Sequence, residues 1–277
     1  MARGGFEPAQ RQGVALAGQV SQAASRAEVK MKITVVGCGD AFGSGGRLQT
    51  CFHVEAGPRR FLIDCGATAI IGLNKLGLDP NEIETIFISH LHGDHFAGLV
   101  WWMLHAQHVA RRSEPLTVVG PEGVEARFVA AAEALFPRST QVDRRFALNF
   151  VELRQRQQAD VAGIKVTPFE VSHPSGAPPY ALRFEVDGRT LAFSGDSEWV
   201  EDLVDAGRQA DLLIIECYGF DTDVRYHMSW RTIEKNLPRI GARRVLLTHM
   251  NATMLENRHH VTTPDVMCAE DGMVIEI

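Results

Sequence analysis

No stretch of the 277 residues approaches the roughly 18 to 20 consecutive apolar positions that a bilayer span requires, so no membrane-spanning helix is expected. Paired cysteines are missing too. Cys38, Cys51, Cys65, Cys217 and Cys268 are odd in number, scattered and never in a Cys-x-x-Cys pair, which argues against a disulfide framework and against a thiolate zinc knot. They read as reduced, buried small hydrophobes of a cytoplasmic protein. Positive charge is also short: a net charge of -6 provides no electrostatic footprint for a DNA duplex, and RNA would need a local basic patch. Residues 31–277 contain no low-complexity linker or recognisable repeat, so a single domain is expected there. In residues 1–30 the longest apolar stretch, Val14-Ala15-Leu16-Ala17-Gly18, is too short for a secretory signal. That segment reads as a disordered N-terminal extension, with Met31 a candidate start of the folded unit.

The chain does have an ordinary globular composition, 45% apolar and 22% charged, which suffices for a sizeable core. Short β-rich runs at 32–36, 52–55 and 61–64 open it as a meander. Residues 67–76 predict a helix and 85–89 a buried strand. Two further helices are expected at 96–108 and 121–135, the second begun by Pro121 in its first turn. Strands follow at 146–153, 161–171, 181–186 and 190–194, with Asp187-Gly188 as the hairpin turn between the last two. Strands at 212–216, 244–248 and 273–277 and a helix near 230–237 complete the pattern. Strands mixed with packed helices predict an α/β fold with two sheets in the middle and helices outside.

The chemistry is concentrated just after the strand at 85–89. His90, His92, Asp94 and His95 put four metal-competent groups within six residues, and Gly93 eases the tight turn between them. Alternation in an extended chain points rings 90 and 92 to the same side, and imidazole nitrogen and carboxylate oxygen are common zinc ligands. Without a shared partner such groups, massed beside an apolar run, would cost roughly 1 to 3 kcal/mol each.

This His-x-His-x-Asp-His order, followed by Phe96-Ala97-Gly98-Leu99, resembles the signature of the metallo-β-lactamase superfamily. Three further motifs of that family occur in order: Val171-Ser172-His173-Pro174, Phe193-Ser194-Gly195-Asp196-Ser197 and Leu246-Leu247-Thr248-His249. The resemblance covers essentially residues 32–277 and implies a four-layer αβ/βα sandwich. It also implies that His90, His92 and His173 hold one metal and Asp94, His95 and His249 the other, with Asp196 bridging. Two divalent ions roughly 3.5 to 4 Å apart would lower the pKa of a shared water from about 15.7 towards 7 and yield hydroxide at neutral pH. Asp94 would orient that water or take its proton. Zinc is the expected metal, because di-iron relatives replace the second histidine of the first motif by glutamate where this chain has His92. Manganese and iron are also compatible with the nitrogen and oxygen set.

Di-zinc β-lactamases generally lack an aspartate bridge, so Asp196 points to the wider hydrolase branch. The opening Val35-Val36-Gly37-Cys38-Gly39-Asp40-Ala41, the segment Leu62-Ile63-Asp64-Cys65-Gly66, and Tyr226-His227-Met228-Ser229 are similar to the ribonuclease Z-like phosphodiesterases. In those enzymes a histidine close before a serine contacts the scissile phosphate or protonates the leaving oxygen, backed by a glutamate; the matching residues here are His227 and Glu216. A Glu216 carboxylate accepting a proton from His227 would orient the ring and raise its pKa, as a general acid requires. The bland alternative is that His227 caps the helix starting near Ser229. Transfer-RNA-processing relatives of the bacterial type carry a long arm between the second histidine motif and the bridging aspartate, and the interval from His173 to Asp196 is too short for it. A small or cyclic phosphodiester is therefore expected ahead of an RNA 3′ end. Arg144, Arg145, Arg154 and Arg156 offer a phosphate patch or, as the favoured reading, a solvated polar loop. His53, His105, His108, His259 and His260 match no ligand position. Thioester or lactone hydrolysis and a non-catalytic metal-bound binding protein are the alternatives. The expected partner is a small-molecule substrate with no membrane, and a homodimer is compatible with the sequence.

Overall fold

The computed structural model describes residues 1–2 and 30–277, so residues 3–29 of the expected extension lie outside the described residues. In chain order the elements are β1 (Met31–Gly37), β2 (Cys51–Ala56), β3 (Arg59–Ile63), α1 (Ala69–Leu76), β4 (Thr85–Phe87), α2 (Gly93–Phe96), α3 (Gly98–His108), β5 (Leu116–Gly120), α4 (Val124–Leu135), β6 (Leu148–Glu152), β7 (Ala159–Val161), β8 (Ile164–Glu170), β9 (Tyr180–Val186), β10 (Arg189–Phe193), α5 (Asp202–Gly207), β11 (Leu212–Glu216), α6 (Trp230–Ile240), β12 (Val245–Thr248), α7 (Ala252–Asn257), β13 (Val266–Cys268) and β14 (Val274–Glu276).

The strands form two seven-stranded mixed sheets, ordered β14-β1-β2-β3-β4-β5-β6 and β13-β12-β11-β10-β9-β8-β7. In the first sheet the pairings from β14 to β3 are antiparallel and those from β3 to β6 parallel. The second repeats the scheme, antiparallel from β7 to β10 and parallel from β10 to β13. This duplication is in the pairing and leaves no visible repeat in the side chains.

Apolar side chains decide how the layers stack. Phe52, Phe61 and Phe87 of the first sheet meet Phe184 and Phe193 of the second, with ring centroids 5.6 Å apart for Phe52–Phe193 and 5.0 Å for Phe87–Phe184. Burying each such side chain stabilises the fold by roughly 1.5 to 3 kcal/mol. The outer face of the first sheet (Leu62, Ile86, Val118) packs on Leu73 of α1, Trp102 of α3 and Phe128 of α4. The outer face of the second (Leu213, Ile215) packs on Leu203 of α5, Ile233 of α6 and Met254 of α7. The result is the expected four-layer αβ/βα sandwich. Strands such as β11, buried on both faces, read as unbroken apolar runs for this reason.

The β9–β10 hairpin turns on Asp187 (φ 49°) and Gly188 (φ 83°), with Val186 opposite Arg189, as the Asp-Gly pair predicts. Other expectations need correction. The run at 161–171 is broken by a turn at Ala162 (φ 53°) and Gly163 (φ 77°) into β7 and β8. Pro121 precedes its helix, which starts at Val124 after Gly123 in the left-handed conformation. The short elements β5, α5, α7 and β13 were not anticipated, since a few residues carry too little periodicity to register. Among the described residues, no helix is long and apolar enough to cross a membrane.

Candidate metal centre

Every candidate ligand lies just beyond a strand end. After β4 come the fully buried Ser89 and His90. His92 is the extended N-cap of α2 (φ −77°, ψ 152°), and Asp94 and His95 occupy that helix's single turn. His173 follows β8, Asp196 follows β10 and His249 follows β12, while Glu216 ends β11. Gly195 (φ 59°) lets the Asp196 loop pass close to β9 and Ser89, because a Cβ there would stand 2.9 Å from the Tyr180 carbonyl oxygen and 3.2 Å from Ser89 Cβ. His249 and Asp64 both have φ 58°, a left-handed backbone that costs about 1 to 3 kcal/mol and clusters at functional sites.

The fold brings all seven residues together. Their ligand atoms form two groups, His90 with His92 and His173, and Asp94 with His95, Asp196 and His249, all within 4.8 Å of one another in each group. Asp196 Oδ2 is 3.2 Å from His249 Nε2 and 3.3 Å from His95 Nε2, and also 3.9 Å from His90 Nε2 and 4.0 Å from His173 Nε2. It faces both groups, as the bridging expectation requires. Asp94 Oδ2 faces only the second, 3.2 Å from His249 Nε2 and 3.3 Å from His95 Nε2.

Hydrogen bonds on the far sides of the rings show what these atoms are prepared to hold. A carbonyl oxygen only accepts, so His92 donates through Nε2 to Pro174 (3.1 Å) and His173 through Nδ1 to Tyr226 (3.1 Å). The remaining His92 Nδ1 and His173 Nε2 then point lone pairs at each other across 2.9 Å. Asp64 Oδ2 lies 2.6 Å from His95 Nδ1 and accepts from Ser89 Oγ at 2.8 Å; that hydroxyl in turn lies 3.0 Å from His90 Nδ1. With Nδ1 donating in both rings, Nε2 of His90 and of His95 is left as a lone pair, and both atoms are buried without a hydrogen-bond partner, as is Asp196 Oδ1. Converging, unpartnered lone pairs of nitrogen and carboxylate oxygen fit divalent cations.

The electrostatics agree. Burial holds the His90 ring well below the usual histidine range and His173 at about 4, which keeps both neutral as ligands must be. Burial also opposes charge on His95 and His249, yet Asp196 and Asp94 outweigh it and raise both rings. Those two imidazoles hold Asp94 and Asp196 below the ordinary carboxylate range despite burial. In the second group the two carboxylates are thus stabilised by positive charge, the charge that a bound cation would supply.

His227 stands beside this centre. Its Nδ1 is 2.9 Å from Glu216 Oε2, its ring stacks on Tyr218 at 4.7 Å, and it faces His173 at 4.9 Å. The ring's pKa is lowered, not raised as expected. Burial lowers the His227 ring, and burial together with Asp196 pushes the Glu216 carboxyl well up. Both directions favour a neutral hydrogen-bonded pair over an imidazolium–carboxylate ion pair, with one proton shared between Glu216 Oε2 and His227 Nδ1. Glu216 Oε1 meanwhile accepts from the Ser197 amide. The helix-cap alternative fails, since Ser229 is the residue that caps α6, through a bond from Thr232 N.

Sequence reasoning missed Asp64 and Ser89, although Asp64 stands in a quoted segment; the signal would have been a carboxylate at the end of a buried strand, β3. Asp64→Ala would remove the carboxylate that accepts from His95 Nδ1, Ser89 N and Ser89 Oγ, and the lost acceptor should cost about 10- to 100-fold in metal affinity. Competition with a chromogenic chelator measures this, and an affinity within twofold of the parent would refute the role. The arginine patch does not form as a phosphate site around Arg156, which pairs with Asp202 and, at 2.9 Å, with Asp205. The rings of His259 and His260 lie 3.9 Å apart and tilted by 42°, outside either ligand group. A cavity of about 140 Å³ opens over the centre, lined by Phe42, Asp94, His173, Tyr218 and His227 among others, with no lysine or arginine.

The profile of the protein family described as "Anti-Pycsar protein Apyc1" matches residues 31–270. The chain is 23% identical to "Ribonuclease Z" of Lachnospira eligens over 289 aligned residues, covering 84% of this chain and 93% of that protein. Other relatives named ribonuclease Z or ribonuclease BN are matched over only 36% to 46% of their own length. Among solved structures, the fold is similar to the metallo-β-lactamase fold protein YhfI from Bacillus subtilis (TM-score 0.73, 21% identity, 90% of this chain and 100% of that one). It is also similar to human tRNase Z, short form (TM-score 0.73, 24% identity, 88% and 98%).

Proposed function

This chain belongs to the Anti-Pycsar protein Apyc1 family, within the ribonuclease Z-like hydrolases of the metallo-β-lactamase superfamily, and we propose that it hydrolyses a small phosphodiester. A hydrolase dependent on divalent metal is supported by the family and by the His/Asp cluster. We assign His90, His92 and His173 to one ion, Asp94, His95 and His249 to the other, and Asp196 to both, with zinc the favoured metal. Bound there, two divalent ions would acidify a shared water and neutralise charge on phosphate oxygens.

The remaining steps belong to the chain's own groups. Asp94, beside the nucleophile's position, orients the attacking water and takes its proton. His227 presents Nε2–H to the cavity, donates it to the leaving oxygen, and is resupplied through Nδ1 by Glu216. The observation that carries the phosphodiester reading is this His227–Glu216 pair, 2.9 Å apart and next to the metal cluster, since an alkoxide leaving group needs a proton donor of its own. The β9–β10 hairpin takes up the interval between His173 and Asp196, leaving no arm for RNA there, and the cavity's lack of lysine and arginine favours a monoanionic small diester over a polyanion.

Zinc- or manganese-loaded protein is expected to cleave bis(p-nitrophenyl) phosphate in preference to a thioester or a lactone. A reversed preference would make it a carbonyl hydrolase. No metal-dependent turnover on any of the three would leave the non-catalytic binding protein standing.

A further inference from the structure

Between β11 and α6 the chain makes an excursion, residues 217–229, that serves the metal centre twice. Its Tyr226 carbonyl accepts from His173 Nδ1 at 3.1 Å, and the next residue is His227. The base of the excursion is closed: Gly219 forms a bridge with Ser229, and Trp230 N–H donates to Gly219 O at 2.9 Å. Apolar burial gives the tip no such support, since residues 221–225 are all exposed. Tyr226 nevertheless has φ 69°, a left-handed backbone that is uncommon for a bulky residue and persists only where the surroundings over-determine it.

Asp223 supplies that determination. Its Oδ1 accepts from Ser229 N at 2.7 Å and its Oδ2 from Thr232 Oγ1 at 2.8 Å. Both donors lie at the start of α6, which the fully buried Trp230 and Ile233 fix against the second sheet. What burial Asp223 has opposes its charge, yet the bonds from Ser229 and Thr232 outweigh it and hold the carboxyl below the ordinary range. From this mooring a turn closed by His227 N–H on Val224 O, at 2.8 Å, leads directly to Tyr226 and His227. We propose that Asp223 is a positioning residue: by tying the Val224–His227 turn to α6 it places both the His227 ring and the carbonyl that fixes the His173 tautomer. Asp223 belongs to neither ligand group and does not line the cavity, so it acts only through those two residues. The assignment rests on the phosphodiester reading for its effect on His227 only, because the hold on His173 bears on the metal whether or not an ester is cleaved.

The test compares metal-saturated parent, Asp223→Ala and Asp223→Asn on a methyl riboside 3′,5′-cyclic phosphate, whose leaving group is an alkoxide, and on bis(p-nitrophenyl) phosphate. In Asp223→Ala, kcat should fall about 10- to 100-fold on the first and about threefold or less on the second. Asp223→Asn, whose amide oxygen can still accept from Ser229 N, should recover most of the loss. Introduced into His227→Ala, the Asp223→Ala change should leave the ratio of the two rates where it was, since its route to the leaving group is already gone. A ratio unchanged from the parent in Asp223→Ala, or one that still shifts in the His227→Ala background, overturns the proposal. Competition for zinc with a chromogenic chelator reads the other arm: Asp223→Ala should bind about tenfold more weakly, and an affinity within twofold of the parent overturns the hold on His173. If the parent cleaves neither ester the phosphodiester reading falls, while the zinc competition still decides the mooring. Should Asp223→Ala fail to fold, Thr232→Val removes only the Oδ2 bond and should shift the rate ratio in the same direction by about threefold; an unchanged ratio there overturns the proposal as well.

Discussion

Asp196→Ala is expected to lower turnover at least a thousandfold and to leave the protein with no more than one tightly held divalent ion per chain. Asp196 Oδ2 is the atom within 4.0 Å of ligand nitrogens from both groups, and the residue is 2% exposed, so water cannot replace it freely. Its charge also holds His95 and His249 above the ordinary histidine range. Removing it leaves two imidazoles facing each other and Asp94 with half the former negative charge, which favours neither ion. A thousandfold loss corresponds to about 4 kcal/mol of transition-state stabilisation, within what a two-metal clamp supplies. Elemental analysis after gel filtration, together with steady-state kinetics, checks it. Two retained equivalents with a rate within tenfold of the parent would show that Asp196 does not bridge.

The second large effect separates proton donation from metal binding. His227→Ala should lower kcat by roughly 10²- to 10⁴-fold when the leaving group is an alkoxide, and by about tenfold or less for p-nitrophenolate, which departs without a proton. Metal content should not change, since His227 lies outside the two groups assigned to the ions and its one side-chain hydrogen bond among the described residues is to Glu216. Glu216→Gln should be milder than Glu216→Ala. A glutamine amide can donate to His227 Nδ1 as the protonated carboxyl does, while its oxygen still accepts from the Ser197 amide. Equal losses for both leaving groups would refute the general-acid role and leave His227 a positioning residue.

Much of the centre was legible along the chain. His90, His92, Asp94 and His95 are neighbours in sequence, and a strand followed by a one-turn helix keeps neighbours close. His173, Asp196 and His249 were legible only as members of an ordered set, because one histidine or aspartate at a strand end has many commoner uses. The direction of the His227 shift was not legible at all. It depends on how deeply the His227 ring itself is buried, against the opposing pull of Asp196 across the cluster, and neither can be counted along a chain. The short strand β5 escaped for a different cause: five residues, Leu116–Gly120, show little alternation when both faces are covered.

By itself, then, the sequence determined the ligand types, their order and the α/β layering, since these follow from side-chain chemistry and from hydrophobic patterning that acts locally. The tertiary structure alone decided that Asp196 faces both ligand groups, that Asp64 and Ser89 set the tautomers of His95 and His90, and that Phe42 stands at the mouth of the cavity. Each of these depends on distances of a few ångströms between residues tens to hundreds of positions apart. Such distances are set by how the two sheets pack and by which strand ends that packing brings together.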